Sequence, residues 1–439
     1  MKKKITLLLF AFCVLDMIHA QQWKLLPGSP NAQFRHDDIF FVNPDTGWLV
    51  NVDGYIFRTI NGGTTWQGQV LNSPTAFRSV GFANGQKGWA GNLGPDSWAP
   101  TTDTFPLYQT MNSGLNWQPV TNITGTRPTG ICGISVVNES VIYAVGRVHG
   151  PAFVLKTADG GASWHSTDMS GIVAGMIDCY FFSPDTGIVV GYTGEPGTGF
   201  GDSFAVILRT TDGGQSWQIQ HESLRNPTTC WKITFPTDSV GYVSVESYDL
   251  DSVFVLKTTD QGVTWQEKFI DDDAPWFQGI GFVDKNTGWI GPDGAYSTTD
   301  GGEAWQPATF LANFNRFRKV NDTLAFAAGK RVWKWTKTTV STSDTTPVKN
   351  PGFALGQNYP NPFSDKTTIP FFVPRRSRVK INVYDIAARF IRTLIDKEVG
   401  EGNHEVAFQI APLKNSLFIC VLEADDVQIM RHLLLLKEQ

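Results

Sequence analysis

An all-β fold, a seven-bladed β-propeller followed by a small β-sandwich, is predicted by three observations. A ten-residue turn recurs six times, a second hairpin pattern precedes most copies, and the C-terminal stretch alternates apolar and polar residues. The turn reads "RTINGGTTWQ" from residue 58, "QTMNSGLNWQ" from 109, "KTADGGASWH" from 156, "RTTDGGQSWQ" from 209, "KTTDQGVTWQ" from 257 and "STTDGGEAWQ" from 297. Its tryptophans, Trp66, Trp117, Trp164, Trp217, Trp265 and Trp305, are spaced by 51, 47, 53, 48 and 40 residues, the size of one four-stranded blade.

The hairpin pattern appears as "IFFVNPDTGWLV" (39–50), "VGFANGQKGWAG" (80–91), "CYFFSPDTGIVVG" (179–191), "ITFPTDSVGYVSV" (233–245) and "IGFVDKNTGWIG" (280–291). Each blade therefore reads strand, tight turn, strand, loop, strand, Asp-Gly turn, strand. Blade three, "GISVVNESVIYAVG", keeps the alternation without the glycine. Residues 317–337 supply three strands with no Asp-Gly turn after them, and "QQWKLL" near the start supplies an orphan fourth. Joining the two closes a seventh blade and removes the exposed edges of an open array; six blades with a ragged end is the alternative.

Within the turn, Asp159, Asp212, Asp260 and Asp300, or Asn61 and Asn112 in blades one and two, are expected to accept backbone N–H bonds two residues on. The glycines take positive φ and the tryptophan packs between blades. One carboxylate per turn is a poor calcium cage, and asparagine in two copies fits a structural role better than a catalytic one.

These residues resemble the S/T-x-D-x-G-x-x-W Asp-box, or bacterial neuraminidase repeat, of sialidases, xyloglucanases, sortilin-type receptors and the photosystem II assembly-factor family. The pairing of F-x-x-x-x-x-G-W with the Asp-box is most similar to the assembly-factor branch. The resemblance covers residues 21–337 and implies the fold; the same propeller hosts enzymes, receptors and assembly factors.

Residues 1–20, "MKKKITLLLFAFCVLDMIHA", read as a signal peptide, and nothing later is apolar for long enough to form a membrane-spanning helix. The Thr-, Ser- and Pro-rich stretch 338–350 reads as a linker, and 351–439 as a β-sandwich of about seven strands. "QNYPNPF" (357–363) and "VYDIAAR" (383–389) resemble the type A C-terminal sorting domain of type IX secretion, on Asn358, Pro360, Asn361, Pro362, Phe363, Tyr384, Asp385 and Arg389. Ala388 stands where that family usually has glycine. The resemblance implies recognition of residues 351–439 by the secretion machinery, and delivery to the outer surface or beyond.

A net charge of -5 and a pI near 5.8 argue against a nucleic-acid partner. Cys132, Cys179, Cys230 and Cys420 are expected as buried free thiols, an inter-blade disulfide being the alternative. No C-x-x-C or H-E-x-x-H motif suggests a metal, and no cofactor is expected.

The long loops fall on the rim opposite the Asp-boxes, where loop-borne function is expected. They offer Trp98, Trp231, Trp276 and Phe314 for stacking, with His149 and His221 for polar contacts. Arg35, Arg78, Arg127, Arg316 and Arg318 precede or begin inner strands, and form either a cationic ring for a bound anion or ion pairs with acids such as Asp37 and Asp38. The expected function is non-catalytic binding of a glycan, peptide or protein. The alternative is a glycoside hydrolase, for which Asp103, Glu195, Glu246 and Asp271 to Asp273 are available, although no spacing singles out a pair and the sialidase Phe-Arg-Ile-Pro signature survives only as "FRHD".

Overall fold

The computed structural model describes residues 21–95, 101–194, 201–225, 227–248, 253–271, 278–291, 295–308, 314–337, 353–356, 358–359, 363, 365–385, 389–409, 416–425 and 427–435. Trp98, Trp276, Glu195, Asp272, Asp273, Pro360, Asn361, Pro362, Ala388, the signal peptide and the linker lie outside them. The chain divides into two compact units at residues 340 and 341.

Among the described residues, seven sheets make up the first unit, and six of them are built from consecutive strands. The seventh joins the two ends of the propeller: Gln21–Leu25 pairs antiparallel with Val332–Lys337, placing Trp23 opposite Trp335. Trp23 also sits edge-on to Trp289 of the preceding blade at 5.4 Å. Blade three has a fifth strand, Ile123–Gly125, running parallel to Trp164–Asp168.

The F-x-x-x-x-x-G pattern has a packing cause. Phe41, Phe82, Phe181 and Phe282 lie directly across the ladder from Gly47, Gly88, Gly187 and Gly288. A Cβ on any of these glycines would meet the phenylalanine ring. With the ring folded over the glycine, its other face is free to stack on an aromatic from the neighbouring blade. Trp48 stacks on Phe82 at 3.5 Å, Tyr143 on Phe181 at 3.5 Å, Tyr242 on Phe282 at 3.8 Å and Phe326 on Phe41 at 3.8 Å. The Asp-box tryptophan then meets the same ring edge-on, as Trp66 meets Phe41 and Trp217 meets Phe181. Blade three, lacking the pair, has Val136 opposite Ile142, and there Trp89 meets Trp164 directly at 6.1 Å.

The Asp-box hydrogen bonds span four residues rather than the two expected from an Asx turn. Asp159 accepts from the Ser163 amide, Asp212 from Ser216, Asp260 from Thr264 and Asp300 from Ala304, each at 2.9–3.0 Å. Asn61 and Asn112 do the same with Thr65 and Asn116. The threonine two positions earlier receives the amide of the second glycine, as Thr59 does from Gly63 and Thr210 from Gly214. Two interlocked acceptors thus hold one loop. The first glycine donates to the tight turn of its own blade, for example Gly62 to the Asp45 carbonyl, so turn and box share a rim.

Hydrogen bonds from Ser163 and Ser216 pull the Asp159 and Asp212 carboxyls well below their ordinary 3.8. At Asp260 burial pushes upward, but the bonds from Thr264 prevail and hold it at about 2. A depressed folded-state pKa contributes stability that is full above 3.8 and lost as pH falls through the folded value. Changing Asp159, Asp212, Asp260 and Asp300 together to asparagine is expected to flatten the fall in Tm below about pH 4. A thermal melt series across that range checks it, and an unchanged slope would place the acid sensitivity elsewhere.

The second unit is a two-sheet sandwich. Ala354–Leu355, Lys366–Val373 and Gly402–Gln409 form one sheet; Phe390–Val399, Ser377–Asp385, Ser416–Ala424 and Val427–Leu435 form the other. Between them lie Phe363, Ile369, Phe371, Ile381, Phe408, Phe418 and Leu433. Cys132, Cys179, Cys230 and Cys420 are buried free thiols.

Candidate functional site

The innermost strands converge on the central channel, and several bulge at the same place. Register shifts fall at Phe77/Ser79, Met176/Asp178, Cys230/Ile233 and Phe314/Arg316. An extra residue re-aims side chains at such a point, and these bulges bracket or begin at the polar residues Arg78, Asp178, Lys232 and Arg316.

The arginines expected to ring the channel mouth are largely consumed inside it. Arg78 is 2% exposed and bonded to Asp37 of blade one. Arg316 is 4% exposed; it reaches across the channel to Asp178 of blade four, with 2.7 and 3.2 Å bonds, and contacts Asp38 at 3.0 Å. Arg318 lies over Phe40 and donates to the Ile39 carbonyl and to Asp38. The geometry is therefore that of ion pairs, and neither Arg78 nor Arg316 reaches the rim to meet a ligand there. Asp178 accounts for the cross-channel link: burial pushes its carboxyl up, but Arg316 and Lys232 hold it below the usual range.

Trp231, expected on the rim for stacking, is instead 1% exposed, with the Arg78 guanidinium 5.8 Å from its ring. It packs with Ala76, Leu93, Cys132, Val148 and Ile177, drawn from blades two, three and four, into an apolar plug. Phe314 is likewise fully buried. His149 is half-buried, and His221 lies in the outermost strand of blade four.

What remains on the loop rim is a shallower site. Arg35 is 24% exposed and bonds both Asp37 and Gln278. Arg127 is exposed, its guanidinium 5.6 Å from the Phe105 ring. It lines a cavity of about 400 Å³ with Pro95, Thr104, Pro128, Thr129 and Arg147, and Arg147 donates to the Pro95 carbonyl. The described rim carboxylates are tied to tyrosines: Asp103 accepts from Tyr108 at 2.6 Å, Glu246 from Tyr248 at 3.0 Å, and Asp271 from Tyr296. Burial raises the Glu246 carboxyl to about 6.

In the second unit the sorting-motif residues divide by role. Asn358 is 2% exposed and donates to Thr367, and Phe363 packs on Phe408. Asp385 accepts both the Arg389 amide at 2.9 Å and its Nε at 2.7 Å, clamping a strand connection, while Tyr384 sits edge-on to Phe390. Tyr359 is half exposed and donates to Glu405.

The sequence reading passed over Asp178 and Lys232. Their signal was a charged residue inside an otherwise apolar inner strand, "MIDCY" and "CWKIT".

Three solved structures share the fold. YCF48 bound to D1 peptide is 18% identical with a TM-score of 0.52, over 72% of this chain and 97% of that one. PorZ, a surface component of the type-IX secretion system of Porphyromonas gingivalis, is 11% identical with a TM-score of 0.50, over 93% of this chain and 60% of that one. An ancestral GH74 enzyme is 13% identical with a TM-score of 0.51, over 92% and 60%. At these identities the likeness establishes architecture alone. No curated protein matches the sequence. Among the described residues no helix is long and apolar enough to cross a membrane. Residues 357–435 match the secretion system C-terminal sorting domain family, so the chain is a β-propeller carrying a type IX secretion tail, addressed to the cell surface or beyond.

Proposed function

We propose that the chain is an exported, non-catalytic propeller whose loop rim binds a peptide or protein segment, with anionic groups of the ligand meeting Arg127 and Arg35. The observation that carries this reading is the closed channel. With Trp231 and the Arg316–Asp178 link filling the bore, a ligand is confined to the rim, where the cavity beside Arg127 offers a guanidinium, hydroxyls and proline walls. Such a surface suits an extended ligand better than a small buried substrate. The shared fold with a propeller that has a bound peptide supports a peptide over a glycan. A sialidase-like activity is less well supported, because Arg78 and Arg316 are buried in ion pairs and unavailable to a sugar carboxylate.

The test is binding of the full chain to arrays of peptides and glycans. Saturable binding to acidic peptides, weakened about tenfold by Arg127→Ala, is expected. Binding confined to glycans, or indifferent to both Arg127→Ala and Arg35→Ala, would overturn the reading.

A further inference from the structure

The polar layer beneath the Trp231 plug leaves several buried donors without acceptors. Lys232 is 1% exposed and its Nζ has none; the same holds for Arg78 Nη2 and the Ser79 hydroxyl. The Arg78 guanidinium lies 5.8 Å from the ring of Trp231, the residue adjoining Lys232 in the chain.

The surrounding acids are already used. Asp37 serves Arg35, Arg78 and the Val52 amide. Asp38 serves Arg316, Arg318 and the amides of Ile39 and Val80. Asp178 serves Arg316 and the Ile233 amide. Glu246, nearer the rim, is bonded to Tyr248. The channel thus gathers Arg35, Arg78, Lys232, Arg316 and Arg318 against Asp37, Asp38, Asp178 and Glu246, one cation more than acid. With Asp178 and Asp38 already engaged by arginines, a buried ammonium with no hydrogen-bond acceptor is costly to keep charged without a further counter-ion. Burial, reinforced by Arg316 and Arg78, pushes the Lys232 amine well below its ordinary range.

We propose that the buried channel interior holds one small monovalent anion of the halide class, between Lys232 Nζ and Arg78 Nη2. The ion restores charge balance and keeps Lys232 protonated. The unpaired Asn315 Oδ1 accepts from a water accompanying it. This site is independent of whatever the loop rim binds.

The experiment is crystallisation of the full chain with bromide in place of chloride, with data collected at the bromine edge. An anomalous peak within hydrogen-bonding reach of Lys232 Nζ and Arg78 Nη2, absent in Lys232→Met, is the expected result. In solution, chloride is expected to raise Tm above that in an equal ionic strength of gluconate, a difference lost in the variant. Water density at Lys232 with bromide only on the surface, or a peak that persists in Lys232→Met, would overturn the proposal. If the variant does not fold, the bromide map and salt comparison of the native chain decide alone.

Discussion

Deleting residues 351–439 is expected to abolish appearance of the protein outside the cell and to leave a folded propeller in the periplasm. The sorting-domain match occupies this segment, and the propeller's sheets draw no strand from it. Fractionation with a protease-resistance assay separates the outcomes: surface delivery of the truncated chain would show that the tail is dispensable. Within the tail, Phe363→Ala removes a ring packed on Phe408 in the middle of a small sandwich, a loss of about 3–5 kcal/mol, which a domain of this size cannot easily absorb. Asn358 and Phe363 are both buried in that sandwich, so changing either is expected to act through the fold of the tail.

Arg316→Ala is expected to be the most damaging single change in the propeller. It strands the Asp178 and Asp38 carboxylates in a closed interior, and breaking one side of a buried pair costs about 3–5 kcal/mol. Arg318→Ala should cost much less, since that side chain is 27% exposed and water can replace it. Denaturant titration of the two variants checks the ranking. Equal losses would mean that the cross-channel link has no special weight.

The propeller was legible because each blade repeats the same local chemistry. Six Asp-boxes, the Phe-to-Gly spacing and two flanking fragments sufficed to expect seven blades, since each signal lies within one hairpin. The channel was not legible. Whether Arg78 and Arg316 meet solvent or an acid depends on residues of other blades, Asp37 one blade away for Arg78 and Asp178 three blades away for Arg316, and on bulges that leave no mark in hydrophobic alternation. Trp231 misled for the same reason: in a loop-to-strand junction an aromatic reads as exposed, whereas here a bulge carries it into the bore. In the sorting domain the motif itself was plain, but the division between buried Asn358 and half-exposed Tyr359 required the packed sheets.

The shared blade has a temporal meaning. Strand Gln21–Leu25 is made first and its mate Val332–Lys337 is made last, so the early strand must wait while six intervening sheets assemble. Closing so long a loop is slow, because its entropy is surrendered before the contacts compensate. Trp23, edge-on to Trp289 and Phe317, thus works as a latch that engages only on a completed ring. A chain interrupted before Val332 would keep an open edge and an unlatched tryptophan. Those two features separate an unfinished propeller from a closed one, and an open edge is the part of it prone to pair with another chain.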